Sequence, residues 1–252
     1  MPIFALFSGA SGYYLRLMEL RDVFDEHTGL PQRGAAATQA LIIVSVFYLL
    51  LLLLFSLAAK SRYAPPAGFE NAFGTNALAY PLVFLLIALV WLGATALHYF
   101  DLRSSGTILT SDICFLVLSA LSAVSSFLFA IEVYQDPRRR SKLALSVIPT
   151  LFLCYWLVFL YRQNAANPII LSYSYFCLAI ISSALGFYFT AGFVYNKPAQ
   201  AKAVITLLAA VYFCFTTLAD DHPTSIKLIM IAIIAASIVY STLLIKNLQL
   251  KR

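Results

Sequence analysis

Six residues near the ends of apolar segments have side chains of the types that bind cations. They are imidazoles and carboxylates: His98, Asp101, Asp112, Asp220, Asp221 and His222. Imidazole and carboxylate together suit a divalent transition metal, so these residues are candidates for a ligand or cation site, although the sequence does not identify a metal. The other interpretation is structural. Asp112, next to Ser111, would cap a helix N-terminus, and Asp220 and Asp221 would lie in a solvated turn.

The composition places these residues in a membrane protein. The chain has 252 residues, of which 62% are hydrophobic and only 11% are charged. Soluble domains have about a quarter of their residues charged, and a chain this apolar cannot cover itself with polar side chains in water. A disordered protein would be charge-rich, and a disulfide scaffold needs more than 4 cysteines. We therefore expect the lipid bilayer to surround most of the chain.

Long apolar runs divide the chain into membrane-spanning segments. A spanning helix needs about 20 mostly apolar residues, because its backbone polar groups must be satisfied within the segment. The fold class we predict is an all-α polytopic transmembrane bundle of seven spans, in which Pro149 kinks the fourth. The predicted spans are residues 37–59, 79–100, 113–134, 143–161, 169–195, 203–219 and 228–245.

The remaining residues flank this transmembrane domain, which covers residues 37–245. Residues 1–36 are predicted to form a membrane-associated segment followed by an outer loop, and residues 246–252 a cytoplasmic tail. Residues 1–20 either make an eighth span or lie along the interface. Arg16 and Glu19 fit the first of these because a charged side chain near a helix end can extend to the interface.

Charged residues predict the orientation, because Lys and Arg in short loops stay on the cytoplasmic side. Eleven of the 17 Lys and Arg residues lie on the same side as the C-terminus, whereas eight of the 11 Asp and Glu residues and all 3 His lie on the other. We therefore predict a plasma (inner) membrane protein with a cytoplasmic C-terminus. The basic inner face should attract anionic lipids, and we expect no nucleic acid partner. A membrane or cytoplasmic protein could dock on residues 138–142 or on the tail.

Hydroxyl-bearing and small residues recur at helical spacing within the spans. Such faces pack membrane helices together, and four of them would give the bundle a polar, outward-facing interior. Ordinary helix packing without a pocket is the alternative. In the longest inner loop, Phe69 and Phe73 are placed to dip into the membrane interface. The predicted interior stripe consists of Thr95, Ser119, Ser122, Ser126, Tyr175, Ser182, Thr206 and Thr216.

One segment resembles a known group of proteins. Residues 19–34 read ELRDVFDEHTGLPQRG, just before a span. This segment is similar to the F-[DE]-x-x-T-G-L-P element near the N-terminus of uncharacterised bacterial multi-pass membrane proteins. The resemblance covers under a tenth of the chain and implies a bacterial inner-membrane protein, but no activity. It also implies that Asp25, Thr28 and Gly29 form a turn.

These observations favour a non-enzymatic membrane protein. We predict a small-molecule or cation transporter component, or a ligand sensor, with no cofactor. The alternative is a structural or accessory subunit, whose polar stripes serve packing alone. A membrane-embedded metal-dependent hydrolase is a third candidate. The ceramidase and progestin-receptor type of zinc hydrolase has Ser-xxx-His and His-xxx-His elements, but here Ala94 stands four residues before His98 and no His-xxx-His is present.

Overall fold

The computed structural model describes residues 1–24, 32, 34–64, 68–75, 77–106, 108–134, 146–167 and 169–250. The predicted turn at Asp25, Thr28 and Gly29, and the predicted docking segment at residues 138–142, lie outside these ranges. Two short strands, β1 (Tyr63–Ala64) and β2 (Gln249–Leu250), form an antiparallel pair. The helices are α1 (Pro2–Asp22), α2 (Ala36–Arg62), α3 (Gly68–Phe73), α4 (Ala79–Ser105), α5 (Thr110–Tyr134), α6 (Ile148–Asn164), α7 (Ile170–Gly192), α8 (Gln200–Thr217) and α9 (Thr224–Lys246).

The predicted all-α architecture is confirmed. Within the described ranges, six helices are long and apolar enough to cross a membrane: α2, α4, α5, α7, α8 and α9. They match six of the seven predicted spans. The chain is therefore a multi-pass integral membrane protein of α-helical type.

The fourth predicted span differs from the helix that is present. Helix α6 has 17 residues, which gives a length of about 26 Å at 1.5 Å per residue, against about 30 Å of hydrocarbon. The kink predicted at Pro149 is wrong. Pro149 is the second residue of α6, where the N–H that proline lacks has no partner within the helix. The count of seven spans therefore stays a prediction.

The long helices alternate in direction through the bundle. The α8–α9 connection contains Asp220, and its end of the bundle is called the Asp220 end. Helices α1, α4, α6 and α8 finish at this end, whereas α2, α5, α7 and α9 begin there. Cross-helix contacts fix the directions: Tyr48 bonds the Leu208 carbonyl while Ser45, one turn earlier, bonds Tyr212, so α2 runs antiparallel to α8. Helix α1 lies along α8 and runs parallel to it.

The opposite end of the bundle is closed by the short helix α3. Phe73 of α3 is fully buried and packs edge-on against Phe129, Phe193 and Tyr240, at centroid distances of 5.4 to 5.9 Å. Asn247, just after α9, donates its side-chain N–H to the Ala72 carbonyl over 2.9 Å. Phe73 therefore points into the protein core, and the prediction that it dips into the membrane interface is wrong.

Candidate functional site

The six residues predicted from sequence all lie at the Asp220 end, but they do not form one site. Asp220 and His222 belong to a buried cluster with Arg16 and Glu19, which we call the charged cluster. Asp221, between them, is exposed. The other predicted residues, His98, Asp101 and Asp112, lie on α4 and α5 and have different partners.

Arg16 is the centre of the charged cluster. Its side chain is fully buried, as is that of Glu19, and Asp220 is 6% exposed. Arg16 Nε donates a hydrogen bond to Asp220 Oδ1 over 2.8 Å, and Nη1 donates to Glu19 Oε2 over 2.6 Å. The guanidinium thus joins the last turns of α1 to the α8–α9 connection, 204 residues away along the chain.

The remaining donors of Arg16 reach the first turn of α7. Nη2 donates to the Ser172 carbonyl over 3.0 Å, and Nη1 contacts the Leu171 carbonyl at 3.4 Å. The guanidinium also lies 5.4 Å from the centre of the Tyr175 ring, a cation–π distance. All three guanidinium nitrogens are therefore engaged within the protein, and none is free to bind an anionic ligand.

Two glycines allow α1 to approach α8 closely enough for these bonds. A Cβ atom on Gly12 would lie 2.5 Å from Thr216 Oγ1, and one on Gly9 would lie 2.9 Å from Phe215. Arg16 is one helical turn beyond Gly12, on the same face of α1. Asp220 follows Thr216 by the same number of residues. The small residues therefore determine the spacing at which the ion pair forms.

Each of the two carboxylates in the charged cluster has one oxygen bonded to Arg16 and one oxygen without a partner among the described residues. Within the described part of the chain, Glu19 Oε1, Asp220 Oδ2 and His222 Nε2 are buried without a hydrogen-bond partner. Two carboxylates face one guanidinium, which leaves one formal negative charge in excess. A buried polar group without a partner costs about 1–3 kcal/mol, and more when it is charged. The cluster therefore has unused capacity to accept hydrogen bonds and positive charge.

His222 lies beside the unpaired oxygen of Asp220. Its ring stacks on Phe176 at a centroid distance of 4.3 Å, and its Nε2 is 3.9 Å from Asp220 Oδ2. Burial lowers the pKa of His222 to about 4, so the imidazole is neutral at pH 7. Burial also raises the pKa of Asp220 above its ordinary value, although Arg16 opposes the rise.

His98 and Asp101 meet a serine at the start of α9. Ser225 Oγ donates to Asp101 Oδ2 over 2.8 Å and lies 3.3 Å from His98 Nδ1. In a hydrolytic triad the imidazole lies between the hydroxyl and the carboxylate, so that it can accept the hydroxyl proton. Here the hydroxyl lies between the other two groups. The arrangement ties α4 to α9 and does not activate a nucleophile.

Asp112 behaves as the structural alternative predicts. Its Oδ2 accepts a hydrogen bond from the Leu109 backbone N–H over 2.9 Å. Leu109 directly precedes α5, and Asp112 is the third residue of that helix, so the contact is one half of a capping box. Among the described residues, no three His, Cys, Asp or Glu side chains are grouped so that they could hold a metal ion. The described residues at this end therefore do not provide a three-ligand metal group, and the ligand or cation site predicted there stays a prediction.

Seven of the eight residues of the predicted interior stripe are buried, and most of its hydroxyls bond within the protein. Thr95 Oγ1 and Trp91 Nε1 both bond Ser119 Oγ, over 2.7 and 3.1 Å, and so join α4 to α5. Thr206 is only half-buried. Hydroxyls that bond carbonyls of their own helices, three or four residues back, belong to Thr95, Ser122, Ser126, Ser182, Thr206 and Thr216. These bonds satisfy the hydroxyls without a ligand.

Sequence reasoning missed Arg16 and Glu19 as site residues. Their charges were expected to reach the membrane interface, but both side chains turn inward and are buried. The signal available in the sequence was an oppositely charged pair three residues apart in an apolar helix, preceded by Gly9 and Gly12. Intramembrane charges usually face the bundle interior and pair with one another, which is the pattern here.

Comparison of the chain with protein-family models, curated proteins and solved structures finds no match. The class of the protein therefore follows from the fold: it is an integral, multi-pass, α-helical membrane protein.

Proposed function

We propose that this protein is a cation transporter component or ligand sensor, and that the charged cluster is the site where it binds a small monovalent cation. The observation that carries the proposal is the pair of buried carboxylate oxygens, Glu19 Oε1 and Asp220 Oδ2, that lack hydrogen-bond partners among the described residues. A buried ionisable group in a membrane bundle is costly, and such groups mark ion pathways and relays.

The partners of Arg16 indicate the sign of the ligand's charge. Each guanidinium nitrogen already bonds a carboxylate or a backbone carbonyl, so the positive charge of Arg16 is compensated. The atoms that remain unpaired among the described residues are one carboxylate oxygen each on Glu19 and Asp220, which can only accept, and Nε2 of the neutral His222, which accepts when the ring proton is on Nδ1. An anion would add charge of the same sign as the excess. A single positive charge balances the cluster, and the lack of a three-ligand group in the described residues argues against a divalent metal.

The membrane setting is part of the proposal. We place the protein in a bacterial plasma membrane with its C-terminus in the cytoplasm, as supported by Lys197, Lys202 and Lys246 at the end opposite Asp220. These residues would contact anionic lipids, each contributing about 1 kcal/mol near the surface. Helices α1 and α6 cross with the other six in this proposal, because each runs antiparallel to the neighbours that precede or follow it.

A structural or accessory subunit is the second candidate. It is favoured by the interior hydroxyls, such as those of Ser122 and Thr216, which bond carbonyls of their own helices. In that function the charged cluster would act only as a clamp between α1, α7 and the α8–α9 connection. Binding and flux measurements distinguish the two functions, because a clamp does not respond to a cation.

The experiment uses the full chain in proteoliposomes containing pH-sensitive and potential-sensitive dyes. Gradients of Na⁺, K⁺, NH₄⁺ or H⁺ are applied singly, and thermal stability of the purified protein is measured with the same four ions. We expect one ion to produce flux or a saturable stabilisation, which amounts to about 2.7 kcal/mol at a concentration one hundred times Kd.

The matched variants are Asp220→Asn and Asp221→Asn. They alter neighbouring carboxylates, of which the first is buried and the second is exposed. The response should be lost in Asp220→Asn and kept in Asp221→Asn. No response to any of the four ions in the wild-type protein, or equal loss in both variants, would contradict the proposal and favour the accessory function.

A further inference from the structure

We propose that the cation bound by the charged cluster is the proton, and that it is held on Asp220 Oδ2 next to His222 Nε2. This inference rests on the proposed function and names its ligand. The proton comes from water at the Asp220 end. It forms an O–H bond on Oδ2, and when it leaves to water the electron pair of that bond stays on the oxygen.

Among the hydrogen-bonded groups of the cluster, charge balance requires one more positive charge, since Lys227 acts on Asp220 only through space. Arg16 bonds both Glu19 and Asp220, so its single charge is shared between two carboxylates, and all three side chains are buried. A buried carboxylate that is not fully compensated is neutralised most simply by protonation. The protonated cluster would have no net charge, and Asp220 Oδ1 would still accept the hydrogen bond from Arg16 Nε.

The space around the unpaired atoms favours the smallest cation. Glu19 Oε1, Asp220 Oδ2 and His222 Nε2 are all shielded from solvent by the surrounding described residues. A sodium or ammonium ion at any of them needs several oxygen or nitrogen contacts at once. A proton needs one covalent partner and no added volume. It therefore fits the cluster without any movement of α1 away from α8.

His222 provides a neighbour for the proton. Asp220 Oδ2 and His222 Nε2 are 3.9 Å apart, which is about 1 Å longer than a hydrogen bond. A proton on Oδ2 would give this oxygen a donor, and a small rotation of either side chain would close the gap. The His222 side chain is 24% exposed, so part of the ring reaches the surface while Nε2 stays buried beside Asp220.

The groups facing Asp220 come from each element packed around it. Arg16 and Lys227 lower its pKa, whereas Glu19 and above all burial raise it, and the net direction is upward. His222, being neutral at pH 7, adds no compensating charge. The groups that act on Asp220 are Arg16 and Glu19 of α1 and Lys227 of α9, with His222 of the connection beside it; Tyr175 of α7 contacts Arg16, and Asp221 acts on His222.

The test is infrared difference spectroscopy of the full chain in lipid nanodiscs as the pH is stepped from acid to alkaline. A protonated carboxyl group has a carbonyl band that ionised carboxylates lack. We expect one such band to persist above the ordinary aspartate pKa of about 3.9, where a solvated aspartate is ionised. It should vanish in Asp220→Asn and remain in the matched control Asp221→Asn.

A second measurement needs no variant, in case Asp220→Asn does not fold. Wild-type protein labelled with ¹³C at the aspartate side-chain carboxyl should show the same band shifted, because the band belongs to an aspartate. A band that does not shift, that is lost in Glu19→Gln and kept in Asp220→Asn, or that titrates near 3.9 would overturn the inference.

Failure of this inference and failure of the proposed function give different results. If Na⁺, K⁺ or NH₄⁺ binds but no aspartate carboxyl stays protonated above the ordinary aspartate pKa, the proton is the wrong cation, while the proposal that the cluster binds a cation stands. If the aspartate carboxyl stays protonated above its ordinary pKa but no ion produces flux or stabilisation beyond the effect of pH itself, the proton site stands and the transport or sensing function is wrong.

Discussion

Removal of the Arg16 guanidinium is the most direct perturbation of the charged cluster. We consider Arg16→Met, which keeps an unbranched side chain of similar length but has no charge and no donor. It would break the bonds to Asp220 Oδ1 and Glu19 Oε2 and leave both carboxylates buried without a counter-ion. It would also remove the bond to the Ser172 carbonyl.

The magnitude follows from the burial of all three groups. Removing one partner of a buried ion pair costs about 3–5 kcal/mol, because the remaining charge is left uncompensated. For a chain of this size, 1 kcal/mol corresponds to roughly 2–4 °C in Tm, so we expect Tm to fall by about 10 °C. Glu19 and Asp220 act together on Arg16, and their separate contributions therefore need not add.

The dependence on pH has a definite sign. Without Arg16, burial and the Glu19 carboxylate still raise the pKa of Asp220 and Lys227 still lowers it, so loss of the guanidinium moves the folded-state pKa further above the unfolded value. The folded variant then binds a proton that the unfolded chain does not, and the variant regains stability as the pH falls through the folded pKa. The difference between the wild type and Arg16→Met should therefore be largest at neutral and alkaline pH and smaller in acid.

The assay is reversible unfolding in mixed micelles, with Tm as a second measure. Arg21→Met is the matched control, because Arg21 lies on the same helix in an exposed position. We expect it to change stability by less than about 0.5 kcal/mol. If Arg16→Met at pH 7 were within about 1 kcal/mol of the wild type, the guanidinium would not be compensating buried carboxylates and the description of the cluster would be refuted.

Three other predictions concern packing and protonation. Gly12→Val places carbon against α8, where a Cβ would lie 2.5 Å from Thr216 Oγ1, and should cost about 1–3 kcal/mol, whereas Gly93→Val, with nothing within 4 Å, should cost little; equal melting temperatures would contradict the close approach. Phe73→Ala should lower the free energy of unfolding by about 3–5 kcal/mol, and a near-neutral result would mean that Phe73 faces lipid. His222 has a folded pKa of about 4, so between about pH 6.5 and 4 the unfolded chain alone binds a proton at this residue, and His222 should destabilise the protein by up to about 3 kcal/mol as the pH falls across that window. Asp220, whose folded pKa is raised, acts in the opposite direction, so the measurement is the difference between the wild type and His222→Phe. The variant should lose less stability than the wild type as the pH falls, and equal slopes would refute the prediction.

The spans were predictable from sequence because a spanning helix shows as high mean hydropathy over about 20 consecutive residues. Six predicted spans match helices to within a few residues, since the boundaries are set by where polar residues begin. The start of α6 was harder to predict. Apolar residues continue on the N-terminal side of Pro149, so hydropathy alone extended the segment beyond the position at which the helix begins.

The charged cluster was only partly predictable. Asp220 and His222 were recognised because carboxylate and imidazole lie together in a short connection. Arg16 was not, because its partner lies 204 residues away and no spacing rule joins two helices that distant in the chain. The alternative that Asp112 caps its helix could be weighed from the sequence, since that contact spans only three residues.

The position of Arg16 early in the chain and of Asp220 late in the chain has a consequence for biosynthesis. At about 5–20 residues per second, the ribosome makes Asp220 on the order of 10 to 40 s after Arg16. During that interval the guanidinium is already in a helix but its distant partner does not exist. Glu19, three residues away on the same helix, is made almost immediately and can neutralise it. Glu19 can therefore neutralise the charge of Arg16 during membrane insertion, before Asp220 has been synthesised.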